Sequence, residues 1–174
     1  MGLEERILEL LKQLGEETRL ADKRAKQLYG FTATNIKASA YRSFEQSDIP
    51  TDTWIQVQLD SEIYDPGNNF ADYKFIVPVN GIYSVKALVT FKSVVASKSY
   101  MAGVKHNTVY KIAGRVHSSF VDWVSPFISR DIKAQVGDTF GLYAYHNAGV
   151  NTVDIVGDAG GLYTFMTVHI LSLD

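Results

Sequence analysis

The sequence predicts an all-β fold, an antiparallel jelly-roll sandwich, preceded by a short N-terminal helical segment. Three observations carry that expectation. Hydrophobic residues recur with a heptad spacing over residues 3–29 and then, from about residue 32, with strict alternation. Clusters of Gly, Asn, Asp and Pro break the alternating runs at short intervals. Aromatic residues make up 12% of the chain, with ten Tyr and nine Phe, which suits pleated, half-buried surfaces.

The helical segment comes first. Ile7, Leu11, Leu14, Thr18, Ala21, Ala25 and Leu28 are spaced alternately four and three residues apart, the seam of a coiled coil. Leu3, Leu10 and Leu14 give a second, overlapping register. Gly15 costs about 1 kcal/mol against Ala in a helix interior and could divide the segment into two short helices. Gly30 reads as the C-cap. The expected division is therefore a helix over 1–30, acting as coiled-coil stalk or anchor, and a β-head over 31–174. A lone helix of this length is marginal in water, so the seam calls for copies of itself or a docking surface.

The strands follow in order. Ile55, Val57 and Leu59 alternate with Trp54, Gln56 and Gln58. A run through Phe75 and Val77 leads to Pro78 and Asn80-Gly81, which reads as a hairpin turn before Tyr83, Val85, Ala87, Val89 and Phe91. Tyr100, Ala102 and Val104 form another apolar row. Gly137-Asp138 reads as a second hairpin turn, leading into Phe140, Leu142 and Ala144, with Tyr143 and Tyr145 on the opposite face. Leu162 to Leu173 forms a last long strand. About eight to ten strands with no helix between them indicate a sandwich or jelly roll.

Four fragments in this order resemble the globular head of the C1q/tumour-necrosis-factor jelly-roll superfamily. Trp54-Ile55-Gln56-Val57-Gln58-Leu59-Asp60 with Tyr64-Asp65-Pro66-Gly67-Asn68-Asn69-Phe70 is similar to its early strand and turn. Phe75-Ile76-Val77-Pro78-Val79-Asn80-Gly81-Ile82-Tyr83 is similar to its core motif F-x-x-P-x-x-G-x-Y. Ile132 to Phe140 is similar to its L-x-x-G-D turn, and Gly161 to Leu171 to its closing strand. Met166 stands where the family usually has Gly, and a short helix stands where the complement proteins have collagen. The resemblance covers roughly residues 36–174 and implies a C1q/TNF-like fold and a homotrimer. It also implies calcium near the trimer apex, for which Asp154 and Asp158, with Asp122, are the candidate ligands. The spacing of a calcium-binding EF-hand loop is absent, and no cofactor is required.

Composition excludes several functions. Net charge is −2, so no basic field favours nucleic acid. The chain has no Cys, hence no disulfide and no thiolate metal site. No apolar run approaches the roughly 20 residues of a membrane span. Met1-Gly2-Leu3-Glu4-Glu5-Arg6 is acidic where a signal peptide is basic. His106, His117, His146 and His169 lie in separate segments, and no nucleophile, base and orienting group come together in any local motif. The chain reads as no enzyme.

The expectation is a trimeric, non-enzymatic head of a virion fibre or spike, of bacteriophage type. Its helix would anchor it to the particle and its loops would bind a host-surface glycan or protein. Asn68, Asn69, His146, Asn147 and Asn151 lie in the turn clusters expected to face the ligand. The rival readings are a decoration protein of capsid or tail without ligand, and a secreted or cell-surface C1q/TNF-like signalling or lectin-like protein.

Overall fold

A computed structural model of the chain describes residues 2–119, 122–150 and 152–173, and within the helix the side chains of residues 2 and 4–25. The chain forms two compact units, Met1–Asn35 and Ile36–Asp174.

The first unit is one helix, α1 (Leu3–Asn35). It passes through Gly15 unbroken, and Gly30 lies inside it and is not its cap. A single Gly costs about 1 kcal/mol, less than leaving the eight unpaired backbone groups that two extra helix ends create. The boundary accordingly falls after Asn35, not after residue 30. At the start, the Gly2 amide donates to the Glu5 carboxylate (2.8 Å), half of a capping box, and Glu4 and Glu5 complement the helix dipole. The seam residues Ile7, Leu11 and Leu14 are about half to two-thirds exposed, at 49%, 60% and 63%. Thr18, Ala21 and Ala25 are also exposed, and the Thr18 hydroxyl donates back to the Leu14 carbonyl (2.8 Å). The Leu28 side chain lies outside the described residues.

The second unit is strand and turn throughout its described residues. It opens with β1 (Lys37–Tyr41), β2 (Gln46–Ile49), β3 (Ile55–Gln56) and β4 (Ser61–Tyr64). Then come β5 (Phe70–Ala71), β6 (Lys74–Ile76), β7 (Gly81–Leu88) and β8 (Phe91–Lys92). The long strands β9 (Ser99–His106), β10 (Val109–His117), β11 (Phe127–Ala134) and β12 (Thr139–His146) follow, then β13 (Val153–Ile155) and β14 (Phe165–Leu173). One sheet has the order β11-β7-β14-β1-β4 and a second the order β10-β9-β12-β6-β5, with β3 on β12. A small third sheet, β2-β13-β8, lies at one end. All pairings are antiparallel, as the alternation requires. Bulges and turns cut the expected strands into shorter pieces, and the last one begins at Phe165, since Leu162 lies in the preceding turn.

The core sits between the sheets and is built from the alternating rows. Tyr83, Val85 and Ala87 face inward from β7, Tyr100, Ala102 and Val104 from β9, and Phe140, Leu142 and Ala144 from β12. Phe75, Tyr83 and Phe140 pack with ring centroids about 6 Å apart. Phe91, Tyr100 and His146 form a second aromatic group toward the opposite end. Both buried phenols are partnered: Tyr83 donates to the Val79 carbonyl (2.7 Å), and Tyr100 accepts from the Val95 amide (2.6 Å).

Neither expected hairpin is one. β6 and β7 belong to different sheets, so Asn80-Gly81 is a crossing between layers. Neither residue has a positive φ. Gly81 is required for another reason: a Cβ there would lie 2.4 Å from the Ser172 carbonyl oxygen of β14. The Asn80 side chain accepts from the Val136 amide (2.8 Å) and ties this crossing to the next one. Gly137-Asp138 likewise carries β11 in one sheet to β12 in the other, with Gly137 at φ 87°.

Tight two-residue hairpins occur at Asn107-Thr108 and Asp72-Tyr73. Asp72 and Tyr73 both hold positive φ, 51° and 62°, as a type I′ turn demands. Tyrosine is costly there, by roughly 1–2 kcal/mol, while glycine loses part of that gain to chain entropy. Tyr73→Gly is therefore expected to raise stability by about 0.5–1 kcal/mol, read as a higher denaturant midpoint.

Candidate functional site

The outer face of the second sheet carries a cluster of aromatic side chains. Tyr143 and Tyr145 stand on β12 opposite the buried Leu142 and Ala144, half-exposed. Gly103 of β9 pairs with Tyr143 and Ala113, and Met101 with Tyr145 and Arg115. Trp54, just before β3, covers Gly103, where an added Cβ would come within 2.9 Å of the indole. An isolated glycine in a strand marks such a close approach. Trp54 is flanked by Tyr110 (4.6 Å between centroids) and Tyr145 (5.4 Å), and Tyr110 meets Tyr143 edge-on (5.9 Å).

Charge surrounds these rings. Lys105 places its ammonium 4.7 Å from the Tyr110 centroid and 4.3 Å from that of Tyr143, both cation–π distances. Tyr145 donates to the Asp52 carboxylate (3.0 Å), which raises the Tyr145 pKa. Asp52 itself holds a positive φ, 56°, with its amide donating to the His146 carbonyl (2.8 Å). The Tyr110 hydroxyl is covered and has no hydrogen-bond partner among the described residues. Burial first, and then neighbouring Tyr143, push the Tyr110 pKa up to about 12.

The outer face of the first sheet differs in kind. Phe127, Leu88, Phe165 and Tyr41 lie in register across β11, β7, β14 and β1. Phe127, Ile82 and Leu171 are 55%, 37% and 49% exposed, and the edge strand β4 leaves Ile63 57% exposed. His169 lies on the same face, half-buried.

The residues expected to face a ligand do not form one site. Asn68, with φ 50°, and Asn69 lie beside β5 and β6, at the end where Phe75 pairs with Phe140 near the start of β12. Asn147 follows the other end of β12. Its side-chain oxygen accepts from the Ser99 amide (2.7 Å). Asn151 lies outside the described residues. His146 is fully buried and cannot face a ligand. Its Nδ1 accepts from the Ala148 amide (3.2 Å), so Nε2 carries the proton and donates to the Ile49 carbonyl (2.8 Å). Alternation along β12 places residue 146 inward with 142 and 144, a parity the turn-like neighbourhood of Asn147 obscures.

The calcium candidates are also apart in role. Asp154 accepts from the Asp48 amide (3.0 Å). Asp158 accepts from the amides of Gly160, Leu162 and Tyr163 (2.9–3.2 Å) and so shapes its own loop. Asp122 is exposed. No group of three carboxylate or imidazole side chains suited to a metal occurs among the described residues. Within one chain Asp154 and Asp158 are already engaged by backbone amides, and adding millimolar calcium or a chelator is expected to leave the melting temperature unchanged.

Two imidazole pairs could suggest catalysis. Ser99 Oγ meets His117 Nδ1 at 3.3 Å, but Ser99 is buried and its partner is on the surface. His106 Nε2 contacts Asp138 (2.7 Å), which also accepts from the Asn107 side chain (2.8 Å) and the Gln135 amide (2.8 Å). This network joins the β9–β10 hairpin to the β11–β12 crossing. The Asn107 and Gln135 hydrogen bonds, then His106, lower the Asp138 pKa to about 2 from 3.8. A depressed carboxylate contributes stability above its unfolded pKa, and that contribution is lost as pH falls through the folded value. Asp138→Asn is expected to remove this loss between about pH 4 and 2, measured as a flatter acid-unfolding curve.

No protein-family model and no curated protein matches this sequence. Solved structures share its fold. The globular domain of the zebrafish complement 1qA protein superposes with a TM-score of 0.60 at 10% identity, over 80% of this chain and 99% of that one. The TNF protein Eiger from S. frugiperda gives 0.57 at 11% identity, over 80% and 94%. Murine APRIL gives 0.56 at 13% identity, over 78% and 98%. At these identities the likeness is one of fold, and the fold is the C1q/TNF-like jelly roll.

Proposed function

We propose that this chain is a trimeric, non-enzymatic binding head on a helical stalk, displayed by a virion fibre, spike or similar particle. The single observation that carries this reading is apolar surface left open on both units. The helix exposes Ile7, Leu11 and Leu14 along a heptad seam, and the jelly roll exposes Ile82, Phe127 and Leu171 on one sheet face. Apolar surface of this kind favours association at roughly 25 cal/mol per Å² removed from water. The C1q/TNF-like fold supports association through the head. Three copies around an axis satisfy both units at once.

Display follows from the same arrangement. The strand register puts residue 36, where the chain enters the head, at the same end as Asn68 and Asn69, while the loops at 147–150 and 156–164 lie at the far end. Three identical heads would convert weak single-site binding into useful avidity. No helix among the described residues is long and apolar enough to cross a membrane. A fluorescently labelled full-length protein is expected to adsorb saturably to host cells. Absence of saturable adsorption would favour a decoration protein without ligand.

A further inference from the structure

The Trp54 face lies on the second sheet, away from the face read above as the trimer contact. It combines three features. Trp54 is laid over Gly103, with Tyr110 and Tyr145 at its sides. Its rim carries charge in place of aliphatic bulk: Asp52 bonded to the Tyr145 hydroxyl, and exposed Arg115 in register with Met101 and Tyr145. One polar atom, the Tyr110 hydroxyl, is covered and has no hydrogen-bond partner among the described residues. Leaving such a group unpaired is costly, and a ligand hydroxyl that reaches it would relieve that cost. Asp52 is held in a left-handed conformation, which Asp tolerates well, with its amide donating to the His146 carbonyl.

A pyranose ring has the matching chemistry. One face presents C–H bonds that stack on an aromatic ring, and its edge presents hydroxyls that bond to carboxylate, guanidinium and phenol. A protein partner would look for exposed aliphatic side chains, of which the helix and the first sheet carry more than the second sheet, where Ile76 and Val109 are exposed. We infer that the Trp54 surface is a carbohydrate-binding platform, with Trp54 as the stacking floor and Asp52, Arg115 and Tyr145 as the hydroxyl-binding rim. This deepens the binding-head reading by naming the ligand class, and it rests on that reading.

The test uses labelled full-length protein on an array of immobilised oligosaccharides, with an array of immobilised peptides alongside. Saturable binding to a subset of pyranose glycans is expected. Trp54→Ala should weaken it at least about tenfold, the scale of a lost aromatic contact. Tyr145→Phe keeps the ring and removes the bond to Asp52, and should weaken binding several-fold with the melting curve intact. This milder variant keeps the test decisive if Trp54→Ala fails to fold. Trp123→Phe leaves Trp54 as the only fluorophore of its kind, and its emission should change saturably with the bound glycan. No glycan bound, glycan binding indifferent to Tyr145→Phe, or Trp54-dependent binding to peptides alone would each overturn the platform. If cells are still bound while glycans are not, only the platform fails. If neither is bound, the binding-head reading fails with it.

Discussion

Gly157→Ala is expected to lower the stability of the head by about 4 kcal/mol, a loss of the size reserved for backbone conflicts and large cavities. A Cβ at this position would lie 1.9 Å from the Phe44 carbonyl oxygen, 2.3 Å from its carbon and 2.7 Å from its nitrogen. All three atoms are backbone, so no side-chain rotation relieves the overlap. Gly157 has no positive φ, which makes the requirement one of space alone. The neighbouring residues cannot give way cheaply. Asp158 donates its amide to the Arg42 carbonyl (3.0 Å), and Val156 donates to Thr90 (2.8 Å). Arg42 in turn binds Asp60 (2.8 Å) and the Gln58 carbonyl (2.9 Å). Displacing the 42–45 segment would release that set together. For a domain of this size the melting temperature should fall by roughly 10–15 °C. A fall of less than about 2 °C would show that the two segments separate freely.

His146→Ala should also cost several kcal/mol, although the residue borders a turn cluster and invites reading as a ligand contact. The substitution leaves the Ile49 carbonyl and the Ala148 amide unpaired in the interior, at about 1–3 kcal/mol each when nothing replaces them. It also opens a cavity beside Tyr100, whose ring stacks on the imidazole at 5.9 Å. Water entering the cavity would recover part of this, so about 3–4 kcal/mol is the expected loss in denaturant unfolding. Weakened ligand binding with unchanged stability would contradict the buried role.

The alternating rows made the jelly roll legible, because inward parity along β7, β9 and β12 depends only on local sequence. Which strands pair does not. Asn80-Gly81 carries a hairpin's residue types, yet its glycine answers to Ser172 of β14, some ninety positions away. A long-range contact of that kind leaves no local mark. The Asp72-Tyr73 hairpin was illegible for the opposite reason: its residues are poor for the turn they make. In the aromatic surface, the outward parity of Tyr143 and Tyr145 was readable. Trp54, Lys105 and Tyr110 join them only through sheet register, and the mid-strand glycines 103 and 141 were the available hint. The helix was readable from its heptads, and its passage through Gly15 and Gly30 reflects the high cost of helix ends compared with single glycines.

Light scattering on the purified full-length protein tests the central claim most directly. Trimeric assembly predicts a mass of three times 19.4 kDa at micromolar concentration. The same trimer should persist after removal of residues 1–35, because Thr18, Ala21 and Ala25 bury little area in the seam while the sheet face offers Ile82, Phe127 and Leu171. A full-length chain that scatters as 19.4 kDa would contradict the trimeric head.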